Sequence, residues 1–209
     1  MAFDYKKEYK EYYMPKANPE IVTLPPMKYI AIRGKGDPNV VDGAYQKAIS
    51  LLYGLAFTIK MSKMGEHQIE GYFEYVVPPL EGFWWQEGID GFDFTHKELF
   101  CWISCIRLPD FVKKDDFDWA VAEATRKKKQ EFSAVEFLTI EEGLCVQILH
   151  RGTFDTEPAS VALMDAYLAE NGYENDLGMN RFHHEIYLSD IRKVSPEAVK
   201  TVIRHPVKK

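Results

Sequence analysis

Residues 27–37 read MKYIAIRGKGD, and residues 145–155 read CVQILHRGTFD. Each stretch runs from apolar residues into an Arg-Gly pair and reaches an aspartate three residues later. The offset between the two stretches is a constant 118 residues, and Ala44 and Ala162 continue it into the segment that follows. Self-similarity over so long a period indicates duplication. The sequence therefore predicts two βαββ halves, in which a strand passes through a polar turn into a helix.

Hydrophobic spacing outside the repeat predicts the remaining elements. Apolar residues at helical intervals predict helices over 41–64, 115–130 and 158–171, and a short closing helix over 196–203. Apolar runs bounded by proline and glycine predict strands over 28–34, 72–77, 99–108, 135–140, 144–149 and 181–188. Residues 1–20, interrupted by Pro15 and Pro19, are expected to form a loosely packed arm. Residues 80–97 are expected to form a loop, and its length favours a functional role.

These elements define an α+β fold with two antiparallel sheets, helices on one side of the sheets and a central ligand cleft on the other. The expected organisation is the arm at 1–20 followed by one domain at 21–207. The halves of that domain occupy about 21–109 and 134–190, and a helix at 111–131 joins them.

Charge and composition exclude several classes of function. The 209 residues carry a net charge of −6, whereas a protein that binds duplex nucleic acid needs a basic surface to neutralise phosphates. Neither a signal sequence nor a run long enough to span a bilayer is present, so no membrane partner is expected. The three cysteines lack metal-site or disulfide spacing and are read as buried thiols in a reducing compartment. We therefore expect a cytoplasmic protein.

The last predicted strand contains the first candidate for chemistry. Side chains alternate along a strand, so His183, Glu185 and Tyr187 share one face, and residues 184, 186 and 188 share the other. Ile186 and Leu188 suit a core covered by a helix, which places Glu185 and Tyr187 on the cleft side. A carboxylate within an apolar strand is costly unless it is paired, hydrogen-bonded or given a cationic ligand. The alternative is a solvated face, or a glutamate that pairs with an arginine and only stabilises the fold.

Other common kinds of site are absent from the sequence. Neighbouring histidines on a strand point to opposite faces and no third ligand has metal-site spacing, so no metal is expected. No Gly-x-Ser-x-Gly nucleophile elbow occurs. Residues 33–37, RGKGD, lack the glycine and lysine pattern of a phosphate loop, so neither a nucleotide nor another cofactor is expected.

Aromatic residues supply a second candidate. They form 14% of the chain, and Phe83, Trp84 and Trp85 follow one another in the predicted loop. Adjacent tryptophans are costly to leave in water, so at least one is expected to be buried. Tyr75 and Trp102 lie on predicted strands nearby. These rings either fill the core or hold a flat apolar ligand, and a carboxylate beside such a ligand can select cations or activate water.

Residues 78–85, PPLEGFWW, residues 183–190, HHEIYLSD, and residues 196–207 together resemble the GyrI-like small-molecule-binding family. The similarity covers about 21–207 and implies a duplicated module of the SHS2 type with a ligand cleft. It also implies that Glu185 is the central polar residue of that cleft. In length and in the Trp-Trp pair, the chain is most similar to a stand-alone branch known as cyclopropanoid cyclopropyl hydrolases. These enzymes open the strained ring of planar DNA-alkylating drugs, which confers drug resistance by detoxification.

The resemblance implies a mechanism for these residues. Phe83, Trp84 and Trp85 would hold the planar drug, and Glu185 would orient or deprotonate a water. Strand facing adds Trp102 as a further ring contact and Tyr187, which would fix that water or donate a hydrogen bond as the conjugated carbonyl becomes a phenolate. Tyr75 and His183 complete the predicted ligand contacts. A module that binds planar or cationic drugs without turnover is the alternative, and a protein partner is a third hypothesis.

Overall fold

The computed structural model describes residues 2–89, 92–93, 95–178 and 180–209. The chain has an α+β fold with antiparallel strands, and its contacts divide it into two compact units. Within the described part, no helix is both long and apolar enough to cross a membrane. The three cysteines are buried, as the sequence predicts, and none belongs to a disulfide.

The first unit comprises Met27–Leu80, Trp85–Ile140 and the N-terminal residues up to Asp4. Its strands are β2 (Met27–Lys35), β4 (Phe100–Arg107) and β5 (Glu136–Ile140), and β2 pairs antiparallel with both of the others. Its helices are α3 (Ala44–Lys60), continued by a 3-10 turn at Met61–Met64, and α4 (Lys114–Lys128). Another 3-10 turn at Lys97–Leu99 precedes β4. The buried face of α3 repeats at helical intervals through Ala48, Leu52, Leu55 and Ile59.

The second unit comprises Tyr5–Pro26, Glu81–Trp84 and Glu141–Lys209. It contains α1 (Tyr5–Glu8), α2 (Lys10–Tyr13), β1 (Glu20–Leu24), β6 (Gly143–Arg151), α5 (Glu157–Asn171), β7 (Glu174–Asn175), β8 (His183–Tyr187) and β9 (Lys200–Lys208). Strand β3 (Leu80–Gln86) contributes its residues 81–84. The antiparallel order is β1-β6-β9-β8-β3, and β7 pairs with β9. Gly172 ends α5 in the left-handed conformation, which is a common way for a helix to end.

Helix α5 covers the face of this sheet that carries Glu185. Glu185 lies directly opposite Ile203 of β9, and directly opposite residues share a face. Ile203 belongs with Ile148 and Met164 of α5 to one buried apolar cluster of the unit. We had predicted that the helix covers the opposite face, with Ile186. That prediction is wrong because both faces are buried, and the strand pattern does not indicate which one a helix covers.

Residues 1–20 are not a loosely packed arm. Tyr5 is 3% exposed and Tyr13 is 1% exposed. The backbone oxygens of Glu11 and Tyr12 accept hydrogen bonds from the buried side chains of Gln147 and Arg204, at 2.6 and 2.8 Å. The segment beginning at Tyr5 therefore packs against the sheet face opposite α5 and satisfies buried donors there.

Three further element predictions are also corrected. Within 72–77 only Tyr75 forms an isolated bridge, with Phe3, so this segment is not a strand. Residues 80–86 form strand β3, although they were expected to begin a loop, and residues 90, 91 and 94 of that predicted loop lie outside the described residues. Residues 196–203 do not form a helix, because only Pro196–Ala198 make a 3-10 turn and β9 begins at Lys200.

The units also divide the chain differently from the predicted halves. β1 belongs to the second unit, where it pairs with β6, and β5 belongs to the first unit, where it pairs with β2. Each unit therefore includes one strand that the repeat assigns to the other half: β1 in the second unit and β5 in the first.

Candidate functional site

The candidate site is built on the face shared by β3 and β8. In their antiparallel register Gly82 lies opposite Glu185 and Trp84 lies opposite His183. The Trp84 indole N–H donates to the Tyr187 hydroxyl oxygen at 2.9 Å. A Cβ atom on Gly82 would lie 2.6 Å from Trp84 Nε1 and 2.9 Å from Tyr187 Oη. Glycine at position 82 is thus the residue that lets these two side chains meet.

Glu185 lies on the same face as this pair and contacts the first of two linked histidines. Its Oε1 is 2.9 Å from Nε2 of His183, and Nδ1 of His183 is 2.7 Å from Nε2 of His205. Burial, with added repulsion from His183, keeps the pKa of His205 well below its ordinary value, so His205 is neutral. The Glu185 side chain remains 13% exposed, whereas that of His183 is 6% exposed. Glu185 therefore combines a fixed partner with access to solvent.

A second glutamate, which the sequence did not indicate, completes the cluster. Glu157 begins α5 and is 5% exposed. Its carboxyl approaches Glu185, and burial followed by the charge of Glu185 raises the pKa of Glu157 to about 10. Ligand atoms of Glu157, His183 and Glu185 all lie within 4.8 Å of one another, a spacing that would also admit a metal ion. Two carboxyl groups this close and this buried share either a proton or a cation.

Phe154 adds an aromatic ring at the edge of the site. It lies in the 3-10 turn Phe154–Thr156 just before α5 and is 39% exposed. Its ring meets that of Tyr187 edge-on, with centroids 5.9 Å apart. Trp84, Tyr187 and Phe154 thus place three aromatic rings beside one carboxylate, an arrangement suited to a flat ligand.

The opposite face of β8 is organised for stability. His184 is fully buried, and its ring nitrogens lie 3.0 Å from Glu81 and 2.9 Å from Glu142. The Tyr13 hydroxyl also donates to Glu81, at 3.2 Å. Burial alone would lower the pKa of His184, but Glu142 and Glu81 raise it above its ordinary value. The imidazolium form is therefore favoured between two carboxylates.

Arg204 closes this network. It is 1% exposed, and it donates to Glu142 at 3.0 Å and to Gln147 at 3.0 Å. Burial would raise the pKa of Glu142, but His184 and Arg204 together hold it at about 2. The charges on this face are fully paired, so it offers no carboxylate to a ligand.

The other predicted ligand residues have different contacts. Phe83 faces the paired network, where its ring stacks on His184 with centroids 4.0 Å apart. Trp85, Tyr75 and Trp102 belong to the first unit. Tyr75 packs against Phe111, and Trp102 is 1% exposed and meets Tyr45 edge-on at 5.0 Å. Of the eight predicted residues, the structure brings together Trp84, His183, Glu185 and Tyr187.

Comparisons with known proteins identify the family of the chain. Residues 17–208 match the GyrI-like small molecule binding domain, and the chain belongs to that family. A conserved protein of Listeria innocua, described as uncharacterized, is 47% identical with a TM-score of 0.93 over 99% of this chain and 100% of the other. A hydrolase from Listeria innocua is 46% identical with a TM-score of 0.91 over the whole of both chains. Another structure of a hydrolase from that organism is 45% identical with a TM-score of 0.89 over 99% of this chain and 100% of the other. No curated protein matches the chain.

Proposed function

We propose that the chain binds a planar aromatic molecule beside Trp84 and Tyr187 and hydrolyses it, with Glu185 acting on water. The single observation that carries the proposal is the position of Glu185, a partly exposed carboxylate on the same face as the hydrogen-bonded Trp84–Tyr187 pair. The hydrolases from Listeria innocua, at 45% and 46% identity, support a hydrolytic reaction. The cyclopropane-bearing drugs of the duocarmycin type are the substrate class that we propose.

Aromatic contact supplies the binding energy in this proposal. A flat drug that covers the exposed ring of Phe154 and the partly exposed ring of Tyr187, beside the buried Trp84, gains about 25 cal/mol for each Å² of apolar surface removed from water. Trp84 donates to the Tyr187 oxygen, and this bond sets the direction of the Tyr187 O–H group. Phe83 stacks on His184 at the opposite face, so we leave it out of the proposed contact surface. Tyr75, Trp85 and Trp102 stay as sequence-based predictions.

The reaction is the addition of one water across a strained ring. Glu185 accepts a proton from water while the water oxygen forms a bond to a cyclopropane carbon. The C–C bond of the ring breaks, and its electron pair moves into the conjugated carbonyl group, which becomes a phenolate and then takes up a proton. Tyr187 donates to the oxygen on which this charge develops. The substrate contains the strain, so the protein contributes placement and proton transfer.

The finer description of the fold is also a proposal. The inner strand of each unit pairs with a later strand of the same unit. Ile30 pairs with Ile106, and Ile148, which corresponds to Ile30 in the repeat, pairs with Ile203. The next position along carries a buried arginine in both units, Arg107 and Arg204. This correspondence supports duplication of a βαββ module of the SHS2 type.

We further propose that the protein acts in the cytoplasm as a detoxifying enzyme that confers drug resistance, which is consistent with three buried cysteines outside any disulfide.

Turnover is the test of this function. Purified protein is incubated with a cyclopropane-bearing duocarmycin-type drug, and products are followed by mass spectrometry beside Glu185→Gln and Glu197→Gln. Glu197 is an exposed glutamate of the second unit and serves as the matched control. We expect a product heavier by one water over many turnovers, lost in Glu185→Gln and kept in Glu197→Gln. Equal turnover in both variants would remove Glu185 from the mechanism.

A binding module without turnover is the second candidate. Membership in a family of small molecule binding domains favours binding without turnover, because binding alone defines that family. In that case the drug would quench tryptophan fluorescence stoichiometrically and be recovered unchanged. Saturable binding that Trp84→Ala weakens, with no product at any time, would establish sequestration or sensing and exclude hydrolysis of this substrate class.

A further inference from the structure

We propose that Glu157 carries the shared proton of the Glu157–Glu185 pair at neutral pH and, as a neutral acid, positions the Glu185 carboxylate. Glu157 is then a positioning residue, since it acts through Glu185. The kinetic part of this inference rests on the proposed function, whereas the assignment of the proton does not.

The geometry favours a proton or a cation bound by the Glu157 and Glu185 carboxyl groups. A carboxyl oxygen of Glu157 lies within 4.8 Å of a carboxyl oxygen of Glu185, and Glu157 is 5% exposed. One Glu157 oxygen, Oε1, is buried and has no hydrogen-bond partner among the described residues. A charged carboxylate with an unpartnered buried oxygen is far more costly than a neutral acid in the same place. The direction of the pKa shift of Glu157, upward because of burial and then because of Glu185, agrees.

The surrounding groups place the negative charge on Glu185. From β8, His183 lies 2.9 Å from Glu185, and from β9, His205 lies beyond His183. From β6, His150 is engaged by Ser160 of α5 at 2.8 Å and by the Thr153 carbonyl at 3.1 Å. Among the described ion pairs, none joins Glu157 to a basic residue, whereas Glu185 has His183. The proton therefore belongs on Glu157.

A neutral Glu157 would serve the reaction in a specific way. As an acid it donates one hydrogen bond to Glu185, which holds this partly exposed carboxylate in one orientation for accepting a proton from water. If both glutamates were charged, they would repel each other, and the carboxylate would lose its fixed position. If both were neutral, no base would remain.

Carbon-13 NMR of glutamate-labelled protein tests the proton assignment without substrate. We expect one carboxyl resonance to show a neutral acid near pH 7.5, to be absent from Glu157→Gln and to persist in Glu185→Gln. The reverse pattern, with the neutral acid lost only in Glu185→Gln, would overturn the assignment. Loss of the neutral acid on addition of Zn²⁺ or Mn²⁺, together with stoichiometric metal in the purified protein, would also overturn it in favour of a cation site.

Kinetics with a cyclopropane-bearing drug tests the positioning role. We expect Glu157→Leu to lower kcat about 10- to 100-fold, the effect of one hydrogen bond to a charged group, with little change in KM. Glu157→Gln keeps a donor in the same place and should restore most of that loss. Equal loss of kcat in the two variants would refute positioning by a donor. Absence of turnover in the unsubstituted protein would count against the proposed function, and the NMR result would still decide the proton assignment.

Discussion

Replacing Glu157 with glutamine should make the protein more stable, and the gain should increase with pH. Glutamine has the size and hydrogen-bonding shape of the neutral acid but never ionises. The pKa of Glu157 is about 10 in the folded protein and lies near 4.5 in an unfolded chain. Because the folded value is raised, the stability that this group contributes is fully present below about pH 4.5 and is lost as the pH rises towards 10. Glu157→Gln removes that loss.

The magnitude follows from proton linkage. Between the two pKa values the folded state holds one proton that the unfolded state has released, so unfolding becomes easier by about 1.4 kcal/mol per pH unit. Between about pH 5.5 and 8 the stability difference between Glu157→Gln and the unsubstituted protein should therefore widen by up to about 3 kcal/mol. The histidines nearby are present in both proteins, so their own titration largely cancels in the difference.

Urea unfolding at intervals across this pH range, followed by tryptophan fluorescence, gives the two free energies of unfolding. Glu170→Gln removes one carboxyl from an exposed position of the same helix and serves as the control. A difference between Glu157→Gln and the unsubstituted protein that stays constant with pH would refute the reasoning, because an ionised Glu157 would give no such linkage.

Three further outcomes follow from the same two faces of β8. Gly82→Ala puts a Cβ atom 2.6 Å from Trp84 Nε1, so we expect loss of the Trp84–Tyr187 hydrogen bond and of drug binding, measured by fluorescence titration. Arg204→Met removes one of the two cationic partners of the buried Glu142 carboxylate and should destabilise the fold by about 3–5 kcal/mol in urea unfolding. The pKa of Glu142 is about 2, below its unfolded value, so its contribution is present above about pH 4.5 and lost as the pH falls towards 2. An acid titration followed by circular dichroism should show that contribution shrink over this range, and Glu142→Gln should remove it.

The sequence predicted the elements whose pattern arises from their own residues. Helices α3, α4 and α5 and strands β2, β4 and β6 appear within a few residues of their predicted bounds, because each repeats apolar residues at one period. Strand β3 was missed because Gly82 and the preceding prolines indicate a loop. A glycine is needed at position 82 because Tyr187 of β8 occupies the space that a larger side chain would fill.

The closing strand β9 was mistaken for a helix because Pro196 and Glu197 are typical of a helix start. Its residues 199–203 are rich in β-branched side chains, which fit a strand better. Pro206 lies beyond the last residue that pairs with β8, Arg204, so its missing N–H interrupts no bond to that strand. Pro206 is therefore compatible with its position in strand β9.

The candidate site divides in the same way. Alternation along 183–187 correctly separated His183, Glu185 and Tyr187 from His184, as the partners of these residues show. Glu157 could not be predicted, because a glutamate beside a proline at a helix start is explained by the helix dipole alone. Its proximity to Glu185 depends on how α5 packs on the sheet.

The two faces of β8 differ in how buried charge is stabilised, and this difference favours the Glu185 face as the proposed site. On the His184 face, each carboxylate has a cationic partner, and the pKa of Glu142 is held at about 2. A ligand would gain little there, because it would first have to break pairs whose loss is strongly destabilising. On the Glu185 face, burial raises the pKa of Glu157 to about 10, so this face keeps one proton and one carboxylate that remains partly exposed. Stability alone would favour a cationic partner for Glu157 and Glu185, or apolar residues in their place. Their retention beside Trp84 and Tyr187 is consistent with a carboxylate kept available for a ligand or a water.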